Sequence, residues 1–217
     1  TNVHGQVETA DTVYEGLYAV GEAACVSVHG ANRLGTNSLV DLVVYGRRAG
    51  RHIADYVKNA DMPPAPKDAG AGMKEHIRKL KEETGAHPGH VYDEMQNVMM
   101  EKIGVYRDEE EMQSAVSDLQ KLRDEFRGVR VQDKSGSFNQ EVLSILELQN
   151  LLDLSLITAA SALNRKESRG AHSRRDYPDR DDTQWLKHTM ATLKGDDVEI
   201  GYKKVDTSIW EPKPRKY

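Results

Sequence analysis

The chain has 217 residues, which is enough for one domain of ordinary size or two small ones. Hydrophobic residues make up 38% and charged residues 30%, and the net charge of −5 argues against nucleic acid as the main partner. The single cysteine, Cys25, excludes an internal disulfide and a cysteine-built metal site, and predicts a reducing compartment. No run of about eighteen apolar residues occurs, so we expect no membrane span, and no secretory leader is visible.

The first predicted elements are a short strand, a loop and a long helix. Leu17–Val20 is an apolar run that ends at a glycine, which predicts a buried strand leading into a loop. Thr36–Ser38 contains good N-cap residues. Apolar residues then recur at helical spacing, so we predict a helix over residues 38–58.

The middle of the chain has helical periodicity. A short charged helix is predicted over residues 73–83, and Pro88 suits the first position of a second helix. Asp108 begins a capping-box pattern for a third helix. A last long helix is predicted over Asn139–Leu163, with an apolar second half. Three or four antiparallel helices of this kind form a bundle.

The character of the chain changes again from Asn164. Residues 164–182 carry charges of both signs without a usable period, which predicts a loop held by ion pairs and backbone hydrogen bonds. Two interpretations stay open. The loop lies on the surface with screened pairs of about 0–1 kcal/mol each, or it covers a ligand site built by the first segment. Short alternating runs within residues 185–210 predict a small β-element.

These elements predict an α+β fold in three parts. The division places an α/β portion at 1–61, a proline- and glycine-rich linker at 62–72, an antiparallel helical bundle of three to four helices at 73–164, and a loop/β portion at 165–217.

A carboxylate, a guanidinium and a helix start occur close together in the first part of the chain. Glu22, just past the predicted strand, can bind sugar or ribitol hydroxyls, although a solvated loop glutamate is the commoner case. Arg33 can bind a carboxylate bidentately, or can pair with an acid elsewhere. The backbone N–H groups at Thr36–Leu39 favour an anion or an electron-rich carbonyl, and ordinary capping is compatible with that role.

Other catalytic and metal-binding patterns are missing from the sequence. No histidine pair has helical metal-ligand spacing with a third ligand evident, so we expect no metal site. The G-x-S-x-G, P-loop and G-x-G-x-x-G motifs do not occur.

Two long segments carry a resemblance to a known family. Residues 21–50, GEAACVSVHGANRLGTNSLVDLVVYGRRAG, and residues 164–190, NRKESRGAHSRRDYPDRDDTQWLKHTM, resemble the succinate dehydrogenase/fumarate reductase flavoprotein family. The ending EPKPRKY and the helical middle fit the same family, so the resemblance covers essentially the whole chain. The uninterrupted DYPDRDD and the tail ending in tyrosine favour the dehydrogenase form, and L-aspartate oxidase is a more distant member.

The resemblance implies roles for the residues singled out above. Arg33, in the GANRLG motif, matches the arginine that clamps a substrate carboxylate, and Glu22 matches the glutamate that binds FAD. The turn that approaches the flavin, with the helix start facing its pyrimidine edge, matches Thr36, Asn37, Ser38 and Leu39. In that position the helix start would stabilise the negative charge gained on reduction.

Several family features do not occur in this sequence. The glycine-rich dinucleotide loop, the histidine that carries covalent FAD and the capping domain with its proton-transfer arginine are expected upstream, so no catalytic residue is assigned within this chain. The second substrate histidine of the family would lie just ahead of Thr1, so His4 is not given its role. The resemblance therefore implies the C-terminal portion of a flavoprotein, ending an FAD-binding α/β domain.

The implied activity is oxidation of succinate to fumarate. Hydride passes to FAD, a proton passes to an arginine outside this chain, and electrons continue to an iron–sulfur subunit that docks on membrane anchor subunits. The implied location is peripheral, on the cytoplasmic side of the inner membrane or the matrix side in mitochondria. The alternatives are a fumarate reductase flavoprotein, or a truncated module that serves only protein association. We expect the chain alone to be inactive without the missing N-terminal portion of the flavoprotein.

Overall fold

The computed structural model describes residues 13–213, so His4 and the last residues of the EPKPRKY ending lie outside the described part. The helices are α1 (Asn37–Tyr56), α2 (Ala71–Glu82), α3 (Pro88–Lys102), α4 (Glu109–Phe126) and α5 (Gln140–Asn164). The strands are β1 (Tyr106–Arg107), β2 (Ser173–Arg174), β3 (Lys187–Lys194) and β4 (Asp197–Lys204). The predicted α+β mixture is confirmed.

Three helix starts agree with the sequence prediction. Pro88 occupies the first turn of α3, where its missing N–H costs nothing. The Asp108 carboxylate accepts a hydrogen bond from the Glu111 N–H at 3.0 Å, at the start of α4. The Asn139 side chain accepts one from the Val142 N–H at 2.9 Å, at the start of α5. Each cap satisfies a backbone donor that the helix itself leaves free.

The hydrophobic core lies where α4 packs against both α3 and α5. Its fully buried members on these helices include Val91, Met112, Ala115, Leu119, Ile145, Leu152, Leu156 and Ala159. By length and composition α5 could also cross a membrane. We interpret α5 as a core helix, because it packs on α3, α4 and the strands β3 and β4, and because Ile145, Leu152 and Leu156 are fully buried. The apolar second half of this helix predicts burial on several sides, and this packing confirms it, although Leu154 is 59% exposed.

The prediction of a buried strand at Leu17–Val20 is wrong. The segment forms no strand, and Leu17 is 53% exposed. A strand needs a neighbour to bind its N–H and C=O groups, and residues 13–213 place none beside this segment. The segment lies instead along α1, where the Tyr18 hydroxyl is 2.7 Å from His52 Nδ1.

The predicted β-element within residues 185–210 is confirmed as the antiparallel hairpin of β3 and β4. Its turn contains Gly195, whose φ of +65° lies in the left-handed region. Leu193 and Val198 pack against the core from this hairpin. A second, parallel pair joins β1 to β2, which gives the predicted loop 164–182 one short strand that the sequence did not indicate.

Candidate functional site

The site residues predicted from the sequence lie on and around one loop, residues 29–36, which we call the Arg33 loop. Arg33 Nη1 is 3.3 Å from Glu22 Oε1. The Arg33 side chain is 50% exposed and the Glu22 side chain 83% exposed. The structure thus brings these two residues together, at the surface rather than in a closed core.

The start of α1 has an unusual backbone. Thr36 occupies the N-cap position with φ of +68°, a strained conformation for a β-branched residue. No side chain caps this helix start, so the prediction that Thr36, Asn37 or Ser38 would cap it with a side chain is wrong. Leu39 beside it is 63% exposed. An uncapped helix start directs its positive dipole end at solvent and can receive an anion or a carbonyl oxygen.

A histidine–aspartate pair that sequence reasoning missed anchors the Arg33 loop to α1. His29 Nε2 lies 3.0 Å from Asp41 Oδ2, and the Asp41 side chain is only 10% exposed. The other carboxylate oxygen, Asp41 Oδ1, is buried without a hydrogen-bond partner in the described part of the chain. The available sequence signal was a single carboxylate inside the apolar run LVDLVV.

The segment 164–182 reaches the Arg33 loop. The Ala171 N–H donates a hydrogen bond to the Ala31 carbonyl at 3.0 Å. Gly170, with φ of +60°, lies so close that a Cβ there would be 2.4 Å from the same carbonyl oxygen. The segment therefore contacts the first segment, as the second interpretation requires, and its covering of a ligand site stays a prediction.

A buried carboxylate organises this segment. The Glu167 side chain is fully buried and accepts hydrogen bonds from Arg165 Nε at 2.9 Å and Arg169 Nε at 2.8 Å. It also accepts one from the Asp181 N–H at 2.9 Å. Burial opposes ionisation of Glu167, but these hydrogen bonds outweigh it and hold its pKa below the ordinary value. Arg165 and Arg169 therefore belong to a buried network, which the interpretation as screened surface pairs does not describe.

Arg174 ties the same segment to the end of α5. Its side chain is fully buried and donates to the Leu163 carbonyl at 3.1 Å, at the negative end of the helix dipole. It also forms a bidentate pair with Asp176, at 2.7 and 2.5 Å. The hydrogen bonds from Arg174 lower the pKa of Asp176 to about 2.

A cavity of about 470 Å³ lies between the first segment and the C-terminal hairpin. Its lining includes Cys25, Ser27, Gly30, Ala31, Arg169, His172, Trp185 and Lys187. His172 Nδ1 accepts a hydrogen bond from Arg107 Nη1 at 2.7 Å, and Nε2 contacts the Arg165 carbonyl at 3.1 Å. Burial, together with the charges of Arg107, Arg174 and Arg165, lowers the pKa of His172, so the ring is neutral at pH 7.

Known proteins match this chain over nearly its whole length. A family model described as the fumarate reductase flavoprotein C-terminal region matches residues 92–217, and one described as an FAD binding domain matches residues 1–39. Succinate dehydrogenase flavoprotein subunit of Coxiella burnetii is 44% identical over 213 residues, which are 95% of this chain and 36% of that protein. Fumarate reductase flavoprotein subunit of Haemophilus influenzae is 42% identical over 214 residues, which are 96% of this chain and 35% of that protein.

A solved structure shows the same fold. E. coli quinol fumarate reductase superposes with a TM-score of 0.84 at 38% identity, covering 93% of this chain and 35% of that one. These matches define a family of oxidoreductase flavoproteins with FAD as their cofactor. The chain belongs to the succinate dehydrogenase/fumarate reductase flavoprotein family. It spans 36% of the length of the first of these relatives.

The residues around the Arg33 loop fit one edge of a flavin site. The uncapped start of α1 can face an electron-rich ring edge, and Leu39 and Val40 beside it expose apolar surface for a ring to contact. The Glu22 carboxylate is free on its solvent side to accept hydroxyl hydrogen bonds. These side chains are open to solvent, so they form part of a pocket wall rather than an enclosed pocket.

Proposed function

We propose that this chain is the C-terminal part of a succinate dehydrogenase flavoprotein subunit, which within the complete subunit oxidises succinate to fumarate. The observation that carries the proposal is the exposed Arg33 guanidinium beside an uncapped helix start. The alternative is a fumarate reductase working in the opposite direction, and relatives bearing both names match at similar identity.

In this proposal the residues around the Arg33 loop bind two different molecules, the substrate and FAD. Arg33 binds one carboxylate of the dicarboxylate through its planar fork and holds it at a fixed angle. Glu22 accepts hydrogen bonds from the hydroxyls of FAD, and the helix start at Thr36–Leu39 faces its ring, although the Asn37 and Leu39 N–H groups are already bonded to backbone carbonyls. When bound, FAD supplies the redox chemistry by accepting two electrons from the substrate. The arginine that moves the proton belongs to the N-terminal portion of the flavoprotein.

The exposed outer face of α1 supports the proposal that an N-terminal portion of the flavoprotein packs on it. Leu39, Val40 and Val43 are 63%, 62% and 70% exposed, and together they form an apolar patch on one helix. Contiguous exposed apolar surface of this kind marks a contact site. In the proposal the missing N-terminal portion covers this patch and completes an FAD-binding domain with residues 1–61. Residues 62–72 link that domain to the bundle at 73–164, and residues 165–217 form the C-terminal part.

The proposed assembly extends beyond the flavoprotein. Electrons leave FAD for an iron–sulfur subunit, and that subunit docks on membrane anchors. The flavoprotein itself is then peripheral, on the cytoplasmic side of the inner membrane or on the matrix side in a mitochondrion. The names of the relatives, which include a mitochondrial succinate dehydrogenase [ubiquinone] flavoprotein subunit from Oryza sativa, support this arrangement.

A reconstitution tests the proposal. The chain is mixed with the remaining N-terminal portion of the flavoprotein and FAD, and we expect a yellow complex that reduces a dye with succinate. The chain alone should show no turnover. A colourless complex would contradict the proposal and would favour a truncated module that serves only protein association.

A pair of variants makes the reconstitution specific to the apolar patch. Val43→Asp places a charge on the exposed face of α1 and should prevent the complex from forming. Leu154→Asp places the same charge at a site of comparable exposure on α5 and should allow it. Equal loss in both variants would contradict the proposed surface.

A further inference from the structure

A tight turn in the C-terminal segment contacts the backbone of the Arg33 loop. Arg169 and His172 form an antiparallel bridge with backbone hydrogen bonds of 2.8 and 3.0 Å, and Gly170 and Ala171 lie between them. We call these four residues the 169–172 turn. Its tip is the part of the segment that contacts Ala31, two residues before Arg33.

The contact at the tip depends on a glycine for two separate reasons. Gly170 has φ of +60°, which side-chain-bearing residues rarely adopt. Independently of that, a Cβ at this position would lie 2.4 Å from the Ala31 carbonyl oxygen and 2.8 Å from the Ala31 Cβ. Any side chain at position 170 must therefore displace Ala31 and the backbone that leads to Arg33.

The 169–172 turn is itself held rigidly. Arg169 donates to the buried Glu167 through Nε and Nη2, at 2.8 and 2.9 Å, and its Nη2 reaches Asp182 at 2.7 Å. His172 is bound on both ring nitrogens, by Arg107 on one side and the Arg165 carbonyl on the other. Because the turn is fixed on both sides of its tip, its contact can fix the position of the Arg33 loop.

The Arg33 loop, by contrast, is held at few points. His29 anchors one end of it to Asp41 on α1, and the Asn37 N–H bonds the Leu34 carbonyl at the other end. Between these ends the loop side chains are exposed. The backbone contact at Ala31 is thus the support nearest to Arg33 that comes from outside the first segment.

We propose that the 169–172 turn positions the substrate arginine, because the contact of Gly170 and Ala171 with Ala31 fixes where the backbone of the Arg33 loop lies. This inference rests on the proposed function, because it takes Arg33 as the carboxylate ligand. A positioned guanidinium binds the dicarboxylate with both N–H groups aligned, whereas a shifted one loses that alignment.

Gly170→Ala tests the contact in the 217-residue chain. Hydrogen exchange at the Ala171 amide, which donates to the Ala31 carbonyl, should become several-fold faster in this variant. Gly195→Ala is the matched control, because Gly195 has the same left-handed φ but no heavy atom within 4 Å of its would-be Cβ. Unchanged exchange in Gly170→Ala, or an equal increase in the control, would overturn the inference.

A measurement on the unmodified chain guards against a variant that fails to fold. The Ala171 amide should exchange slowly, because it donates to the Ala31 carbonyl. If it exchanges as fast as a free amide, the support does not exist and the inference falls.

The complete subunit tests the link to substrate. For Gly170→Ala we expect the KM for succinate to rise by roughly tenfold, with kcat changed less than about twofold, because a uniform binding interaction is weakened. The FAD content should be unchanged, and Gly195→Ala should match the unmodified enzyme. A fall in kcat or FAD content at constant KM would indicate general damage and overturn the positioning role.

Arg33→Gln separates the two proposals. If this variant leaves the KM for succinate unchanged, the proposed function fails, whatever the exchange experiment shows of the contact between Ala31 and Ala171.

Discussion

The guanidinium of Arg33 lies 3.3 Å from the carboxylate of Glu22, so two residues proposed to bind different ligands share one exposed ion pair. Exposed pairs of this kind contribute about 0–1 kcal/mol. Such a weak contact can hold both side chains in place without a ligand and yet yield to a bound carboxylate or hydroxyl. The ion pair is therefore compatible with Arg33 binding the substrate carboxylate and Glu22 binding FAD.

The first prediction separates the two members of this pair in the reconstituted enzyme. Arg33→Lys keeps the charge but loses the bidentate fork, so succinate kcat/KM should fall roughly 10- to 100-fold, since one hydrogen bond to a charged group contributes about 1.5–3 kcal/mol. The FAD content should be retained. Glu22→Gln should do the reverse, weakening FAD retention while the remaining loaded enzyme keeps its KM. Loss of flavin from Arg33→Lys would contradict the assignment.

Features that depend on residues three or four positions apart were predictable from the sequence. Asp108 and Asn139 cap their helices as expected, because the donor and the acceptor belong to the same turn of chain. The helical periodicity in the middle of the chain likewise predicted a bundle of helices, because apolar side chains three or four positions apart share one face of a helix.

Features that depend on distant partners were not predictable. The apolar run Leu17–Val20 predicted a strand. A strand forms only where another strand pairs with it, and none pairs with this segment in the described part of the chain. The contact of Ala31 with Ala171 joins residues 140 positions apart and involves backbone atoms only. The family resemblance supplied the roles of Glu22 and Arg33, whereas the support from residues 169–172 required coordinates.

The second prediction concerns the core of the bundle. Ile145→Ala removes a fully buried side chain from the face of α5 that packs on α4, and should lower the free energy of unfolding by about 2–5 kcal/mol. Leu154→Ala on the exposed face of the same helix should change it by about 0.5 kcal/mol or less. Urea unfolding followed by circular dichroism measures both. Equal effects would mean that α5 is not oriented as described.

The third prediction concerns the buried Arg174. Asp176→Asn removes the carboxylate of its bidentate pair and leaves a fully buried guanidinium without its main counter-charge. Removing one partner of a buried pair typically costs about 3–5 kcal/mol of unfolding free energy. Arg175→Gln is the matched control, because the neighbouring Arg175 is 60% exposed and its nearest acid, Asp108, is 3.6 Å away. A control that destabilises as much as Asp176→Asn would contradict the buried role of Arg174.

The fourth prediction is a pH dependence caused by His172. Its pKa is lowered by burial and by Arg107, Arg174 and Arg165, so the unfolded chain takes up this proton first as the pH falls. Stability from this group is therefore complete above the ordinary histidine value of 6.5 and declines as the pH falls below it, with a slope of at most about 1.4 kcal/mol per pH unit.

The variant His172→Gln isolates that contribution. A glutamine can accept the hydrogen bond from Arg107 and donate to the Arg165 carbonyl, as the neutral imidazole does, but it takes up no proton. Between pH 8 and 5 the unfolding free energy of His172→Gln should consequently fall less steeply than that of the unmodified chain, while the two differ little in slope above pH 7. Parallel curves over the whole range would show that His172 titrates equally in both states, which the enclosure of its ring by Arg107 and the Arg165 carbonyl does not permit.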